Sequence, residues 1–245
     1  MPIHGLPDYL LDMTYLIVGG SSGIGKAVAE QLLKDGHTVH VWARREKPSF
    51  DAGNPEYTQV DVTTDLPDDL VVPEELDGVL YAPGSIQLAP FRGLKPESFQ
   101  ADFNVNVLGA VRVLQTVLPR ITDGHGASVV MVSTVAATVG MNFHASIATA
   151  KAGVEGLARS LAAELAPKRV RVNVIAPSLT DTPLASKLLD NDKKRERSAD
   201  RHPLKRVGSV DDMAGAILYL LSPGAGWVTG QVLGVDGGLS RISGL

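Results

Sequence analysis

The chain carries a glycine-rich turn, Gly19-Gly20-Ser21-Ser22-Gly23-Ile24-Gly25, between a β-rich run at 14–18 and an amphipathic helical pattern at 25–35. A phosphate pair requires bare backbone N–H groups and a helix N-terminus that faces it. Glycines at 19, 23 and 25 allow a tight turn and a close approach of a pyrophosphate to the backbone. Because a strand precedes the turn and a helix follows it, we interpret this stretch as a dinucleotide-binding turn.

Two other interpretations of the turn compete with this one. The spacing Gly20-x4-Gly25-Lys26 also fits the first part of a P-loop, but Ala27 stands where a P-loop needs Ser or Thr to hold magnesium. Asp61 is the one acidic residue that follows an expected strand in a way that would suit magnesium. A glycine turn without any ligand is the other alternative. The sequence favours a dinucleotide over a nucleoside triphosphate.

Short apolar segments alternate with helical patterns along the rest of the chain. We expect strands at 14–18, 39–42, 57–60, 79–81, 128–132, 170–175 and 232–235. Short apolar strands separated by helices indicate a parallel sheet covered on both faces. The predicted fold is α/β, a Rossmann-like doubly wound parallel sheet of about seven strands, as a single domain over residues 1–245. We expect the segment 183–201 to form a flap over the substrate.

The amino-acid composition of the chain argues against several classes of function. Of the 245 residues, 44% are hydrophobic and 20% charged, and the net charge of −4 argues against nucleic acid or a membrane as the main partner. The absence of cysteine excludes disulfides, thiolate metal sites and a nucleophilic thiol, and we predict no bound metal. No export signal stands at the N-terminus and no apolar run is long enough to span a membrane, so we expect a cytoplasmic protein.

The choice between NADP(H) and NAD(H) depends on the residues that end the second predicted strand. An acidic residue there would hydrogen-bond the ribose 2′-hydroxyl and repel a 2′-phosphate. This chain has Ala43 at that place, followed by Arg44 and Arg45, and a guanidinium can pair bidentately with a phosphate. Two arginines in a solvated loop are the alternative. Because the carboxylate is absent, we predict that the cofactor is NADP(H) rather than NAD(H).

Four further stretches of the chain match motifs of a known family. They are Asp61-Val62, Asn104-Val105-Asn106-Val107-Leu108-Gly109, Arg171-Val172-Asn173-Val174-Ile175-Ala176-Pro177 and Val228-Thr229-Gly230-Gln231-Val232-Leu233-Gly234-Val235-Asp236-Gly237-Gly238. With the turn, in which Val18 replaces the Thr of TGxxxGIG, they make residues 15–238 resemble the short-chain dehydrogenase/reductase family. The similar members include the 3-oxoacyl-acyl-carrier-protein (β-ketoacyl) reductases. The resemblance implies an oxidoreductase that exchanges a hydride between a nicotinamide and a carbonyl or alcohol substrate.

The resemblance also implies which residues contact the cofactor. Asp61-Val62 would contact the adenine, and the segment ending at Pro177 would lead to the nicotinamide. The stretch Tyr81-Ala82-Pro83-Gly84 stands where the family has Asn-Asn-Ala-Gly. The cofactor-binding residues predicted from the turn, the arginines and the resemblance are Gly19, Ser21, Ser22, Gly23, Ile24, Gly25, Arg44, Arg45, Asp61, Val62, Ala82, Gly84, Lys151, Pro177, Thr180 and Thr182.

The catalytic positions depart from the family pattern, which is a Ser, a Tyr thirteen residues later and a Lys four residues after that. Lys151 fits the Lys, but Ile147 stands at the Tyr position, and Thr134, with Ser133 beside it, stands at the Ser position. The Pro-Gly turn of the family becomes Pro177-Ser178. The alkoxide left by hydride transfer needs a proton, and a positioned acid contributes about 10²–10⁴-fold in rate. Isoleucine has no proton to give.

Three nearby residues are alternative proton donors: His144, Ser146 and Lys151 itself, if burial and the nicotinamide charge lower its pKa. His144 could equally be a solvent-facing loop histidine. A hydroxyl of Ser133 or Thr134 could bond a substrate oxygen, or could cap a strand end. The catalytic candidates are Asn106, Ser133, Thr134, His144 and Lys151.

Two helical patterns, at 103–118 and 146–165, are apolar around most of their circumference. A helix of this kind is buried on more than one side, so one side can cover the sheet and the other needs a partner. An alanine-rich helix with a weakly hydrophobic outer face is the alternative. We expect a homo-oligomer, a tetramer or a dimer, as the resemblance also implies.

The sequence as a whole indicates an NADP(H)-dependent oxidoreductase with an atypical active site, acting on a small-molecule carbonyl or alcohol substrate. The alternative function is that of an NADP(H)-binding regulatory protein that has lost catalysis. The two differ in whether a proton donor faces the nicotinamide.

Overall fold

The centre of the structure, a computed structural model that describes residues 13–121 and 126–242, is a parallel β-sheet. Within these residues its seven strands lie in the order β3-β2-β1-β4-β5-β6-β7, and every neighbouring pair is parallel. The N-terminal residues that bear on an export signal lie outside the described ranges. The strands are β1 (Thr14–Val18), β2 (Thr38–Ala43), β3 (Glu56–Gln59), β4 (Gly78–Tyr81), β5 (Ser128–Val132), β6 (Arg171–Pro177) and β7 (Val232–Val235).

The described residues form the α-helices α1 (Gly23–Lys34), α2 (Pro96–Phe103), α3 (Gly109–Val117), α4 (Ala145–Leu165), α5 (Asp192–Asp200) and α6 (Val210–Leu221). Four of these helices cover the two faces of the sheet and enclose two hydrophobic cores. One core lies between the sheet and α1 with α6, and the other between the sheet and α3 with α4. Among the described residues, no helix combines the length and apolar character that crossing a bilayer requires.

Successive side chains of β1 point into opposite cores. Leu16 and Val18 belong to the core under α3 and α4, whereas Tyr15 and Ile17 belong to the core under α1 and α6. A central strand that is buried on both faces therefore reads as a continuous apolar run rather than an alternating one. This confirms the predicted doubly wound parallel sheet in a single domain.

The largest difference from the sequence expectation concerns the helix predicted at 103–118. The helical segment begins at Pro96, passes through a π-helical stretch at Asn104–Leu108 and ends its α-helical part at Val117. Proline suits the first turn of a helix because its missing N–H would have no partner there. A π-helical turn is frequent at functional sites, and this one contains Asn106.

The glycine turn connects β1 to α1 at the carboxyl end of the sheet. Gly19 and Gly23 adopt positive φ angles of 82° and 56°. A Cβ on Gly25 would lie 2.5 Å from the Gly19 carbonyl oxygen, so no side chain fits at position 25. The strand order reverses direction between β1 and β4, and ligands of open α/β sheets bind at such a switch point.

A side chain at position 25 should therefore destabilise the whole domain. Gly25→Ala forces the backbone of the turn apart, and overpacking of this kind costs about 1–3 kcal/mol. For a domain of this size the melting temperature should fall by about 2–12 °C, as measured by thermal unfolding followed by circular dichroism.

Gly215→Ala is the matched control, because Gly215 is an exposed residue within α6 whose added Cβ would meet no atom within 4 Å. Alanine is a better helix former than glycine by about 0.5–1 kcal/mol, so this variant should melt slightly higher. Equal melting temperatures for Gly25→Ala and the unmodified protein would contradict the close approach at the turn.

Candidate functional site

Two adjoining cavities open at the carboxyl ends of the strands. The turn cavity, of about 520 Å³, is lined by the glycine turn and the residues that follow β2, β3 and β4. The lysine cavity, of about 320 Å³, is lined by residues around Lys151 and by the ends of β5 and β6. The two cavities share wall residues, so a single elongated ligand can occupy both. The shared residues are Ile24, Ala82, Gly84, Ser85, Thr182 and Leu184.

The first turn of α1 faces the turn cavity. Ser21, Ser22 and Gly23 line this cavity, and the Ser22 side chain makes no capping hydrogen bond to the helix. An uncapped helix N-terminus presents free backbone N–H groups and the positive end of the helix dipole. This part of the cavity is suited to a phosphate or pyrophosphate group.

Two arginines follow the end of β2 at the other end of the turn cavity. Arg44 and Arg45 both line it and both are exposed. Two side chains of β3 hold their backbone: Gln59 Nε2 donates to the Arg44 carbonyl at 3.0 Å, and Tyr57 Oη donates to the Arg45 carbonyl at 2.6 Å. The guanidinium groups therefore extend from a fixed stretch of backbone into a region open to an anionic ligand.

Asp61 lies beside these arginines at the end of β3. Thr63 donates two hydrogen bonds to its carboxylate, from the hydroxyl at 2.7 Å and the backbone N–H at 2.9 Å. These bonds, with a smaller contribution from the charge of Arg44, hold the pKa of Asp61 below its usual value. An ionised carboxylate at this place can accept hydrogen bonds from a ligand.

Lys151 is the buried cation of the second cavity. Its Nζ donates to the Val132 carbonyl at 2.6 Å. Burial lowers the pKa of Lys151 to about 7, against a smaller opposing effect of the Asp102 carboxylate. The amine can therefore gain or lose a proton near neutral pH.

The hydroxyls of Ser133 and Thr134 line the lysine cavity but are bonded to the protein. Ser133 Oγ donates to Glu155 Oε1 at 2.8 Å, and Thr134 Oγ1 donates to the Pro177 carbonyl at 3.4 Å. The long Thr134 bond is the weaker of the two. Thr134 is thus the hydroxyl that a substrate oxygen could more readily engage.

Ile147 places an apolar side chain in the wall of the lysine cavity. His144, one turn earlier, also lines this cavity, and its Nδ1 is hydrogen-bonded to the Asn142 carbonyl at 2.7 Å. Ser146 is buried in another direction: its hydroxyl lies 2.6 Å from Asp102 Oδ2 and does not line the cavity. Among the sequence candidates for a proton donor, the structure brings His144 and Lys151 to one cavity and leaves Ser146 out of it.

Asn106 is fully buried and lines neither cavity. Its amide nitrogen donates to the Asp102 carbonyl at 2.7 Å, whereas its Oδ1 is one of two buried side-chain atoms of the described residues without a hydrogen-bond partner. A Cβ on Gly84 would lie 3.5 Å from this oxygen and 3.4 Å from Lys151 Nζ. The missing side chain at Gly84 keeps open a small polar space between them, next to the passage that joins the two cavities.

Several polar residues at these cavities were not among the sequence candidates. Asp102 is 2% exposed and accepts hydrogen bonds from Ser85 Oγ at 2.5 Å and from Ser146. Ser178 and His202 are hydrogen-bonded to each other in the wall of the lysine cavity. The position of Asp102 four residues before Asn106, on the same helical face, was an available signal. Ser178 stood out in the sequence only because it replaces the glycine of the family's Pro-Gly turn, and no sequence pattern pointed to His202.

Comparisons with known proteins give a consistent result. The family model described as enoyl-(acyl carrier protein) reductase matches residues 18–240. The chain is 34% identical over 239 residues to the 3-oxoacyl-acyl-carrier-protein reductase FabG of Thermotoga maritima, an alignment that covers 91% of this chain and 96% of that one. Such coverage leaves no large part of either chain unmatched.

Solved structures agree in fold. A short chain dehydrogenase family protein from Francisella tularensis superposes with a TM-score of 0.85 at 26% identity, over 94% of this chain and 99% of that chain. A structure from Agrobacterium tumefaciens with bound NADP, described as a 2-deoxy-D-gluconate 3-dehydrogenase, gives a TM-score of 0.82 at 26% identity, over 93% and 96%.

The buried amine of Lys151 should make stability depend on pH in a defined direction. The pKa of Lys151 is about 7 in the folded chain and 10.5 for an unperturbed lysine. Between these values the unfolded chain holds one more proton, so stability rises with pH, by at most about 1.4 kcal/mol per pH unit from this residue. Lys151→Met should flatten the rise in the free energy of unfolding between about pH 7.5 and 10, measured by urea denaturation.

Lys168→Met is the control, because Lys168 is an exposed lysine after α4. It should leave the pH dependence as in the unmodified protein. If Lys151→Met and the unmodified protein show the same slope, the amine stays charged in the folded state and the desolvation argument is wrong.

Proposed function

Because this chain belongs to the short-chain dehydrogenase/reductase family, we propose that it is an NADP(H)-dependent oxidoreductase acting on a small carbonyl or alcohol substrate. The observation that carries the proposal is the continuity of the two cavities. A dinucleotide in the turn cavity can extend its reactive end past Gly84 into the space beside Lys151. A substrate in the lysine cavity would then meet that end.

The residues present fit a dinucleotide with a 2′-phosphate. The uncapped N-terminus of α1 suits the pyrophosphate. Ala43 leaves the end of β2 without a carboxylate, and Arg44 and Arg45 can neutralise a 2′-phosphate. NADP in the related Agrobacterium structure supports the same choice for this chain.

The orphaned Asn106 Oδ1 also fits a bound group near the passage between the cavities. A buried amide oxygen without a partner is costly unless a water or a ligand satisfies it. When bound, the nicotinamide would supply or accept the hydride. Lys151, with an amine that changes charge near neutral pH, can adjust the local field as the cofactor changes charge.

Two further expectations belong to this proposal. The segment 183–201, which contains a 3-10 helix at Pro183–Leu188 and α5, borders the lysine cavity and is proposed to close over the substrate. The chain is proposed to form a homo-oligomer through the helices at 96–117 and α4. Phe103 and Leu108, each 40% exposed, lie in the first of these helical segments and offer apolar surface to a second copy.

The cofactor assignment predicts that NADPH binds more tightly than NADH. Arg44→Ala removes one charge-assisted contact to the 2′-phosphate, worth about 1.5–3 kcal/mol or roughly a ten- to hundredfold change in affinity. The NADPH preference should fall by that factor, while NADH affinity changes little. Both dissociation constants can be measured from the fluorescence of the reduced nicotinamide.

Arg120→Ala alters an exposed arginine that lines neither cavity and serves as the control. It should leave both dissociation constants unchanged. Equal affinities of the unmodified protein for NADPH and NADH would refute the assignment.

The position of Ile147 predicts a gain of activity. Ile147→Tyr places a phenol beside Lys151, and a well-placed acid contributes about 10²–10⁴-fold in rate. Misplacement by 1 Å can forfeit about 10²-fold, so we expect the rate of NADPH-dependent reduction of generic ketones to rise at least about tenfold.

Ile147→Phe is the matched control, since it adds the ring without the hydroxyl. It should give no gain. If Ile147→Tyr binds NADPH and still shows no gain over Ile147→Phe, the result favours a regulatory protein that binds the cofactor without catalysis.

A further inference from the structure

The wall of the lysine cavity contains a hydroxyl–imidazole pair. Ser178 Oγ and His202 Nε2 lie 2.8 Å apart, and both residues line the cavity. His202 is 3% exposed, so its ring is held in place by packing. The two residues are separated by 24 positions in the chain, and only the fold brings them together.

The hydrogen bonds of His202 define its tautomer. Its Nδ1 lies 2.7 Å from the Ser198 carbonyl, which can only accept, so Nδ1 carries a proton. In the neutral ring, Nε2 is then unprotonated and accepts the hydrogen of the Ser178 hydroxyl. In the imidazolium form both nitrogens donate, and the Ser178 hydrogen is free to turn toward the cavity. The Ser198 carbonyl thus holds the ring in an orientation that allows proton exchange only through Ser178.

The sequence differs from the family motif at two positions of this cavity, and the two differences have opposite effects on its hydroxyl groups. The cavity loses a hydroxyl at Ile147, where an acid is expected, and gains one at Ser178, where the family motif has glycine. Both side chains line the same cavity as Lys151. A hydroxyl backed by an imidazole is a proton donor that can be recharged, which a lone serine is not.

We propose that Ser178 and His202 form the proton relay of this active site, with Ser178 as the group that contacts the substrate oxygen. The inference rests on the proposed oxidoreductase function. It assigns to Ser178 the catalytic role of donor and to His202 the role of proton reservoir behind it.

The relay balances in protons and electrons. With the cofactor bound, a hydride from the nicotinamide would reach the carbonyl carbon, and the electron pair of the C=O π bond would move onto the substrate oxygen. That oxygen takes the hydroxyl proton of Ser178, and Ser178 Oγ takes the Nε2 proton of the His202 imidazolium. The ring becomes neutral, with the proton of Nδ1 still hydrogen-bonded to the Ser198 carbonyl. After the product leaves, a water in the cavity gives a proton to Ser178 Oγ while the Ser178 hydroxyl proton passes to Nε2. Oxidation of an alcohol runs through the same steps in reverse.

The other candidates in the cavity are less well arranged. His144 is only partly buried and is bonded through Nδ1 to its own loop, at the Asn142 carbonyl. Lys151 Nζ is directed at the Val132 carbonyl, and burial lowers the pKa of Lys151 to about 7. Neither is coupled to a second hydroxyl within the cavity in the described hydrogen bonds.

Several charged groups lie near His202. The carboxylate of Asp236, after β7, interacts electrostatically with the ring. Arg201 precedes His202 in the chain and lines the lysine cavity with it. His144 and Lys151 are further titratable groups that line the lysine cavity with His202. Arg206 and Asp212 line another cavity, on the other side of His202.

The test compares Ser178→Ala and His202→Asn with the unmodified protein in NADPH-dependent ketone reduction. Asparagine keeps an N–H group near the place of Nδ1, so the hydrogen bond to the Ser198 carbonyl can remain. It has no atom at the place of Nε2, so the bond to Ser178 is lost. Each variant should lose about 10²-fold or more in kcat, and the double variant should lose no more than either single one, because the two groups act as a unit. The pH profile should lose its His202-dependent limb in both single variants.

Three controls separate catalysis from folding. NADPH dissociation constants should stay within about threefold of the unmodified value. His40→Asn, a change in β2 away from both cavities, should leave kcat unchanged. Adding Ile147→Tyr to His202→Asn should restore part of the lost rate, since a phenol supplies the missing proton and would not repair a misfolded wall.

A readout that does not depend on turnover is the 15N spectrum of the histidine rings. It should show His202 neutral at high pH with the proton on Nδ1, and Ser178→Ala should shift its Nε2 signal.

The outcomes distinguish the two proposals. Failure to bind NADPH contradicts the proposed function itself. Binding of NADPH with no ketone turnover in the unmodified protein overturns the relay. The relay is also overturned if Ser178→Ala and His202→Asn leave turnover intact, or if only His144→Asn abolishes it. A His202 ring that carries its proton on Nε2 alone would overturn it as well.

Discussion

The contact of the α1 backbone with the end of β1 is the constraint on which both cavities depend. Gly25 packs so closely on the Gly19 carbonyl that no side chain fits between them. The helix therefore starts directly at the carboxyl end of the sheet, with its N-terminus uncapped and directed at the turn cavity. Register places β2 and β4 on either side: Val18 pairs with Trp42 and Tyr81, so the segments after these three strands meet at one edge.

Three polar groups are buried close to the passage between the two cavities without full compensation of their charge or hydrogen bonding. Lys151 is desolvated, Asn106 Oδ1 has no partner, and the Asp102 carboxylate is buried with hydroxyl donors from Ser85 and Ser146. Isolated groups of this kind lower stability, and they persist where a ligand or a reaction uses them. Ile147, Ser178 and His202 line the lysine cavity together with Lys151.

The sequence determined the fold well because its signals are local. β1, β5 and β7 are bounded as predicted, since each is a short apolar run ended by turn residues, and the glycine turn identified the switch point. The start at Pro96 has a local signal in the proline itself, whereas the π-helical stretch had none in the sequence and packs against α4. Of the site, the residues next to the turn could be predicted from order along the chain. His202 could not, because its partner Ser178 is brought to it only by the complete sheet.

The most direct test of the account is the amide hydrogen exchange of the protein with and without saturating NADPH, followed by mass spectrometry. Cofactor binding in the turn cavity should add protection to peptides that contain the glycine turn at 19–25, the arginines at 44–45 and the strand end at 82–84. Protection should be smaller with NADH at the arginine peptide. Binding of NADPH with unchanged exchange at the glycine turn, or with protection confined to other surfaces, would contradict the central claim that this turn holds the cofactor.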